Sequence, residues 1–157
     1  TWPDDGKRLD HGSMFLRALR VGLIDPKRSV QIGIRSFSED DYGFTVMSSP
    51  WVAENGVRAT VLEIQKVIGR NKAYLTFDID CLDPAYAPGT GTPVAGGMTS
   101  LQALTILRGL GNIDIIGMDV VEVAPAYDHS EITAIAAATL AHDFICLKAW
   151  QKQQRKD

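Results

Sequence analysis

Apolar positions along this chain alternate between helical and extended spacing, and the switches outline its elements. Over 13–21, Met14, Phe15, Ala18, Leu19 and Val21 fall close to one helical face. The run Ser29-Val30-Gln31-Ile32-Gly33-Ile34 is short, β-branched and preceded by Pro26, which predicts a strand. A polar, acidic stretch over 35–43 reads as loop, and Phe44-Thr45-Val46-Met47 as a second short strand. Val57, Val61, Ile64, Val67 and Ile68 return to helical spacing, with Gly69 as the stop. Ala73-Tyr74-Leu75-Thr76-Phe77 then reads as a buried strand that ends where Asp78 begins. From 81 to 97 the chain is rich in Pro and Gly and has no period, and long loops of this kind in compact domains are usually functional. Thr99 or Ser100 caps a helix to about 110, residues 113–118 form the last strand, and 119–127 the loop beyond it. Asp128 and Glu131, three apart, fit a capping box opening a long helix to about 150.

Helices alternating with strands predict βαβ units and a mainly parallel sheet, hence an α/β fold. Sites in such sheets gather at the carboxyl ends of the strands. Asp78, Asp80, Asp119 and Glu122 are all expected at that edge.

Composition narrows the function without naming it. A chain of 157 residues is the size of one domain, and we treat 1–157 as a single unit. A net charge of −3 leaves no basic surplus for phosphates, which argues against a nucleic-acid partner. The basic residues of 148–156 are interleaved with Gln and read as a solvated helix end. Cys81 and Cys146 form no disulfide framework or metal spacing. The longest apolar stretch, 132–141, is Ala-rich and reads as a buried helix too short to span a bilayer. With no signal peptide either, a cytoplasmic protein without a membrane partner is expected. The opening Thr1-Trp2-Pro3, without Met, reads as a longer protein entered midway.

The chemistry concentrates in Phe77-Asp78-Ile79-Asp80-Cys81-Leu82-Asp83-Pro84. Two carboxylates at i and i+2 on a strand end point the same way and repel when ionised; a cation between them removes the repulsion. The bland alternative is that they cap loop N–H groups. A calcium loop needs a further acid or Asn where Leu82 stands. An Asp-x-Asp phosphatase with Asp78 as nucleophile stays open, although Cys81-Leu82 follow the pair and no later lysine and acidic pair can be placed.

The same run, continued by Ala87-Pro88-Gly89-Thr90-Gly91-Thr92-Pro93 and Gly96-Gly97, resembles the signature of the ureohydrolases, the arginase and agmatinase family. So does Gly117-Met118-Asp119-Val120-Val121-Glu122-Val123-Ala124-Pro125-Ala126-Tyr127-Asp128. The likeness extends over about 10–149 and is strongest to the C-terminal half of bacterial agmatinases. It implies a three-layer α/β/α fold, here incomplete on its N-terminal side, and a binuclear manganese centre that activates water. By this resemblance Asp78 and Asp80 are metal ligands, and Glu122 pairs with the substrate guanidinium. His11 shuttles a proton, and Thr92 lines the guanidinium pocket. The chemistry agrees: a guanidinium carbon is a poor electrophile that needs activated water, a carboxylate matches its donor fork, and histidine can protonate a leaving amine. His11 taken alone is more often a turn histidine.

The resemblance also locates what is missing. Two further ligand segments, Gly-Gly-Asp-His-like and Asp-Ala-His-x-Asp, are expected upstream of Thr1, leaving this chain two of the usual six protein ligands. Made alone, it is therefore expected to be inactive and poorly folded. After Ile34-Arg35, arginases place acids for an amino-acid head group, whereas Ser36-Phe37-Ser38 stand here. Agmatine, cleaved to putrescine and urea, is the expected substrate, with a guanidinobutyrase-like activity as the near alternative. A noncatalytic module that binds a complete homologue is a third reading. The complete enzyme is expected to be a homo-oligomer.

Overall fold

The computed structural model describes residues 10–38 and 40–154. The elements run α1 (Met14–Arg20), β1 (Val30–Ile34), β2 (Thr45–Ser48), α2 (Ser49–Ile68), β3 (Lys72–Asp78), α3 (Ser100–Arg108), β4 (Asp114–Val121) and α4 (Ile132–Gln154). One-turn 3₁₀ segments lie at Pro26–Arg28, Ile79–Cys81 and Pro125–Tyr127. β1 pairs with β2 and β3 with β4, both parallel. α3 separates β3 from β4 as the alternation predicts, whereas among the described residues no helix lies between β1 and β2, and their parallel pairing was not legible from it. Among the described residues the two pairs are not joined by a ladder.

The ends of these elements follow from their side chains. Ser48 accepts from the Trp51 N–H and, with Pro50 in the first turn, starts α2 eight residues before the predicted 57. The apolar periodicity resumes only after Gly56, whose φ of 77° and ψ of 167° kink the helix there. Thr99 and Gln102 form a reciprocal capping box at the start of α3.

The capping box predicted at Asp128 and Glu131 is absent, and α4 begins at Ile132. Glu131 has φ 57°, outside the helical range. Asp128 instead accepts from Ser130 N–H at 3.1 Å and Thr133 N–H at 2.6 Å, which gathers the turn before the helix.

Among the described residues one core runs between the helices and the strands, centred on Met47, Ile64, Ile79, Leu82, Ile115 and Leu140. Along β3, Ala73, Leu75 and Phe77 pack against this core, while Lys72, Tyr74, Thr76 and Asp78 face outward. That outward face carries apolar surface as well: Ile116 on β4 is 63% exposed.

The buried helix expected at 132–141 is also corrected. Thr133, Leu140 and Gln151 are buried, but Ile135 and Ile145 are each more than 60% exposed. By length and composition α4 is long and apolar enough to cross a membrane, which counting only the run 132–141 misses. It packs here on α3 and β4.

Candidate active site

β3 and β4 deliver the site from neighbouring parallel ends, with Asp78 registered against Val121. β3 ends at Asp78, whose Oδ1 accepts the Asp80 N–H at 3.1 Å and caps the Ile79–Cys81 turn. The capping role weighed from sequence is therefore present in Asp78. It occupies one carboxylate oxygen and leaves the other for a ligand.

Loss of solvent raises the Asp78 pKa to about 6, and the charges of Asp80 and Glu122 push it the same way. The Asp80 N–H and the Arg35 guanidinium oppose the shift. Asp80 Oδ2 accepts the Thr92 hydroxyl at 3.0 Å. Thr92, read from sequence as a pocket residue, thus touches the second carboxylate directly. Cys81 closes this turn, and desolvation pushes its thiol up to about 12 and keeps it protonated.

Glu122 follows β4 with φ 64°, a left-handed conformation that a non-glycine residue holds at a cost of about 1–2 kcal/mol. Such outliers cluster at functional sites. Its Oε1 lies 3.6 Å from His11 Nδ1, beyond hydrogen-bond distance but within reach of an ion pair if the imidazole is protonated. His11 and Glu122, more than a hundred positions apart, are thus brought together.

Asp119 does not join them. The expected loop is strand as far as Val121, and Asp119 registers with Thr76 inside the ladder. Its carboxylate accepts from Thr76 Oγ1 at 2.6 Å and Tyr74 Oη at 3.0 Å. The third acid of the run, Asp83, is also structural: backbone N–H groups of Ala85, Gly96 and Gly97 bond it and hold its carboxyl below the usual range. His129 and His142 are exposed, and His142 lies along α4 beside Cys146 and Asp143.

Sequence reasoning gave Arg35 no role, yet its NH2 donates to the Asp80 backbone carbonyl and lies 3.9 Å from Asp80 Oδ1. No local periodicity could mark it, because its partner is 45 positions away.

Two carboxylates on one rim, one of them with raised proton affinity, fit part of a divalent-cation site. Among the described residues no cluster of three or more His, Cys, Asp or Glu side chains completes it.

The arginase-family model matches residues 1–146, nearly the whole chain. This chain belongs to the arginase family. Agmatinase from Chromobacterium violaceum is 62% identical over 148 residues, covering 94% of this chain and 46% of that protein. The crystal structure of a hypothetical agmatinase from Burkholderia thailandensis superposes with a TM-score of 0.93 at 60% identity, over 99% of this chain and 49% of that one. Proclavaminate amidino hydrolase from Streptomyces clavuligerus gives a TM-score of 0.85 at 39% identity, over 92% and 50%. The chain spans about half the length of the relatives it matches. The arginase-family fold of these neighbours agrees with the α/β class expected from sequence, and the likeness fits the C-terminal half of an agmatinase.

Proposed function

We propose that the protein to which this chain belongs hydrolyses the guanidinium group of agmatine to putrescine and urea, with manganese held in part by Asp78 and Asp80. One observation carries this reading. Asp78 at the end of β3 and Asp80 in the turn just beyond it lie beside the parallel end of β4, with Asp78 close enough to Glu122 for that charge to raise its pKa. The agmatinase relatives support the substrate class.

A divalent cation, when bound, supplies the activation that lets water attack a resonance-stabilised carbon near neutral pH. This chain's residues do the rest. Asp78 and Asp80 hold the metal, with Thr92 fixing Asp80 and turning its free lone pairs to the substrate pocket. Glu122 accepts the planar guanidinium fork and keeps its carbon beside the carboxylate pair. His11, next to Glu122, delivers a proton to the departing amine. The uncharged Ser36-Phe37-Ser38, just past Arg35, suits a substrate tail without an amino-acid head group. A guanidinobutyrase-like activity uses the same machinery on a different tail. The remaining metal ligands come from the preceding part of the parent protein, so this chain alone is inactive.

In the complete enzyme, Asp78→Asn and Asp80→Asn should each lower bound manganese and cut urea release from agmatine by roughly 10²-fold or more, the scale of a lost essential catalytic interaction. Metal analysis of the dialysed proteins and a urea assay test this. Variants that keep full metal and full activity remove the reading. Loss of phosphate release from a phosphomonoester, with no urea from either protein, returns the phosphatase.

A further inference from the structure

The ladder between β1 and β2 shifts register between Ile32 and Ile34, and the residue at the irregularity is Gly33, with φ 79°. Its backbone sits against the loop after β3. A Cβ there would meet Met98 Cε at 3.1 Å and Cys81 Cβ at 3.4 Å. Bulges of this kind re-aim the side chains that follow, often beside active sites.

Here the re-aimed residue is Arg35. Its side chain is only 9% exposed, and its guanidinium bridges two backbone carbonyls. NH1 donates to Gly33 at 2.9 Å and NH2 to Asp80. Nε is buried with no partner among the described residues. A buried cation is costly unless it is bonded, and the two carbonyls meet that requirement here.

We infer that Arg35 is a positioning residue of the metal site: clamped by the Gly33 bulge, it fixes the Ile79–Cys81 turn so that Asp80 presents its carboxylate beside Asp78. The inference rests on the metal-hydrolase reading above. Two physical effects of Arg35 oppose each other. As a fixed positive charge it repels an incoming dication, whereas as a clamp it keeps the ligand preorganised. Outer partners of metal ligands typically set affinity by roughly 10–100-fold, more than a single screened charge beside partly exposed carboxylates contributes. The clamp should win, and the sign of the effect tells the two apart.

The test uses the complete enzyme stripped of metal, with free Mn²⁺ followed by electron paramagnetic resonance during titration, for the unaltered protein, Arg35→Met and Arg35→Lys. Both variants should bind Mn²⁺ roughly 10–100-fold more weakly. Lysine keeps the charge but cannot bridge two carbonyls with a planar fork. With manganese saturating, KM for the guanidino substrate should stay at the unaltered value, because Arg35 does not touch substrate. Unchanged or tighter Mn²⁺ binding by Arg35→Met overturns the inference, as does full affinity in Arg35→Lys. If Arg35→Met fails to fold by circular dichroism, Arg35→Lys decides; failure of both makes Arg35 a folding residue and overturns the positioning role. Absence of Mn²⁺ binding by the unaltered enzyme overturns the metal reading itself, and the inference with it. Binding there, matched by the variants, overturns the inference alone.

Discussion

Asp78 joins the fold to the chemistry through one proton. With its pKa at about 6, the folded protein holds a proton that the unfolded chain, titrating at the ordinary carboxylate value, has already released. The contribution of Asp78 to the stability of the metal-free protein is thus fully present below that ordinary value and is lost as pH rises through about 6, whereas Asp83, held below the usual range, contributes in the opposite sense as pH falls. A metal reverses the preference, because it needs the ionised form. Mn²⁺ affinity of the complete enzyme should therefore fall as pH drops below about 6, and binding near that pH should release protons. Calorimetry in buffers of different ionisation heat measures both. A pH-independent affinity across this range would show that Asp78 is not a ligand. At the same scale, neighbouring acids differ in how far the protein uses their oxygens. Asp78 and Asp80 each accept one hydrogen bond, from the Asp80 N–H and the Thr92 hydroxyl, while Asp83 accepts from three backbone N–H groups and Asp119 from two side-chain hydroxyls.

Among the elements, α4 and the two loops behind β3 and β4 act as one unit. Gly89 N–H donates to Thr133 Oγ1 at 2.7 Å, and Ala124 N–H donates to the Gly89 carbonyl at 2.7 Å. The start of α4 therefore ties the loop carrying Thr92 to the loop carrying Glu122. Thr133→Val preserves the shape of a residue that is 1% exposed but leaves the Gly89 N–H buried and unpaired. The complete enzyme should lose about 1–3 kcal/mol, read as a lower denaturation midpoint in urea. An unshifted midpoint would mean that these loops are held elsewhere. The sequence showed this junction only in part. Asp128 was legible as a helix-start residue, but its bond to the Thr133 N–H, five positions on, lies outside the capping-box spacing. At α3 the sequence left the cap between Thr99 and Ser100, and the structure settles on Thr99, with Gln102 completing a box whose bonds are all local.

Over the whole molecule, apolar surface stays open on the outer face of β3–β4 and along α4 at Ile135 and Ile145. Patches of this kind mark surfaces that expect a covering partner. The relatives this chain matches are about twice its length, and in a complete enzyme of that size the additional segments are expected to provide that cover. The 157-residue chain made alone should self-associate and release no urea with manganese present. Co-expression with the preceding half should yield a defined particle and restore hydrolysis. Light scattering coupled to size exclusion, with a urea assay on each peak, checks both. A monodisperse, active 157-residue chain contradicts this assignment and the incomplete metal site together.

By itself the sequence determined what acts within a few residues: the order of helices and strands, the end of β3 at Asp78 and the motifs that carry the family likeness. These depend on period and turn chemistry, both of which are local. Asp80, expected beside Asp78 by strand alternation, instead lies in the 3₁₀ turn that Asp78 caps. Tertiary structure alone decided which distant groups meet, bringing His11 to Glu122, Arg35 to Asp80 and Thr133 to Gly89, and drawing Asp119 away from the rim. Contacts across such separations depend on how layers pack and where strands register, and no window along the chain contains that information.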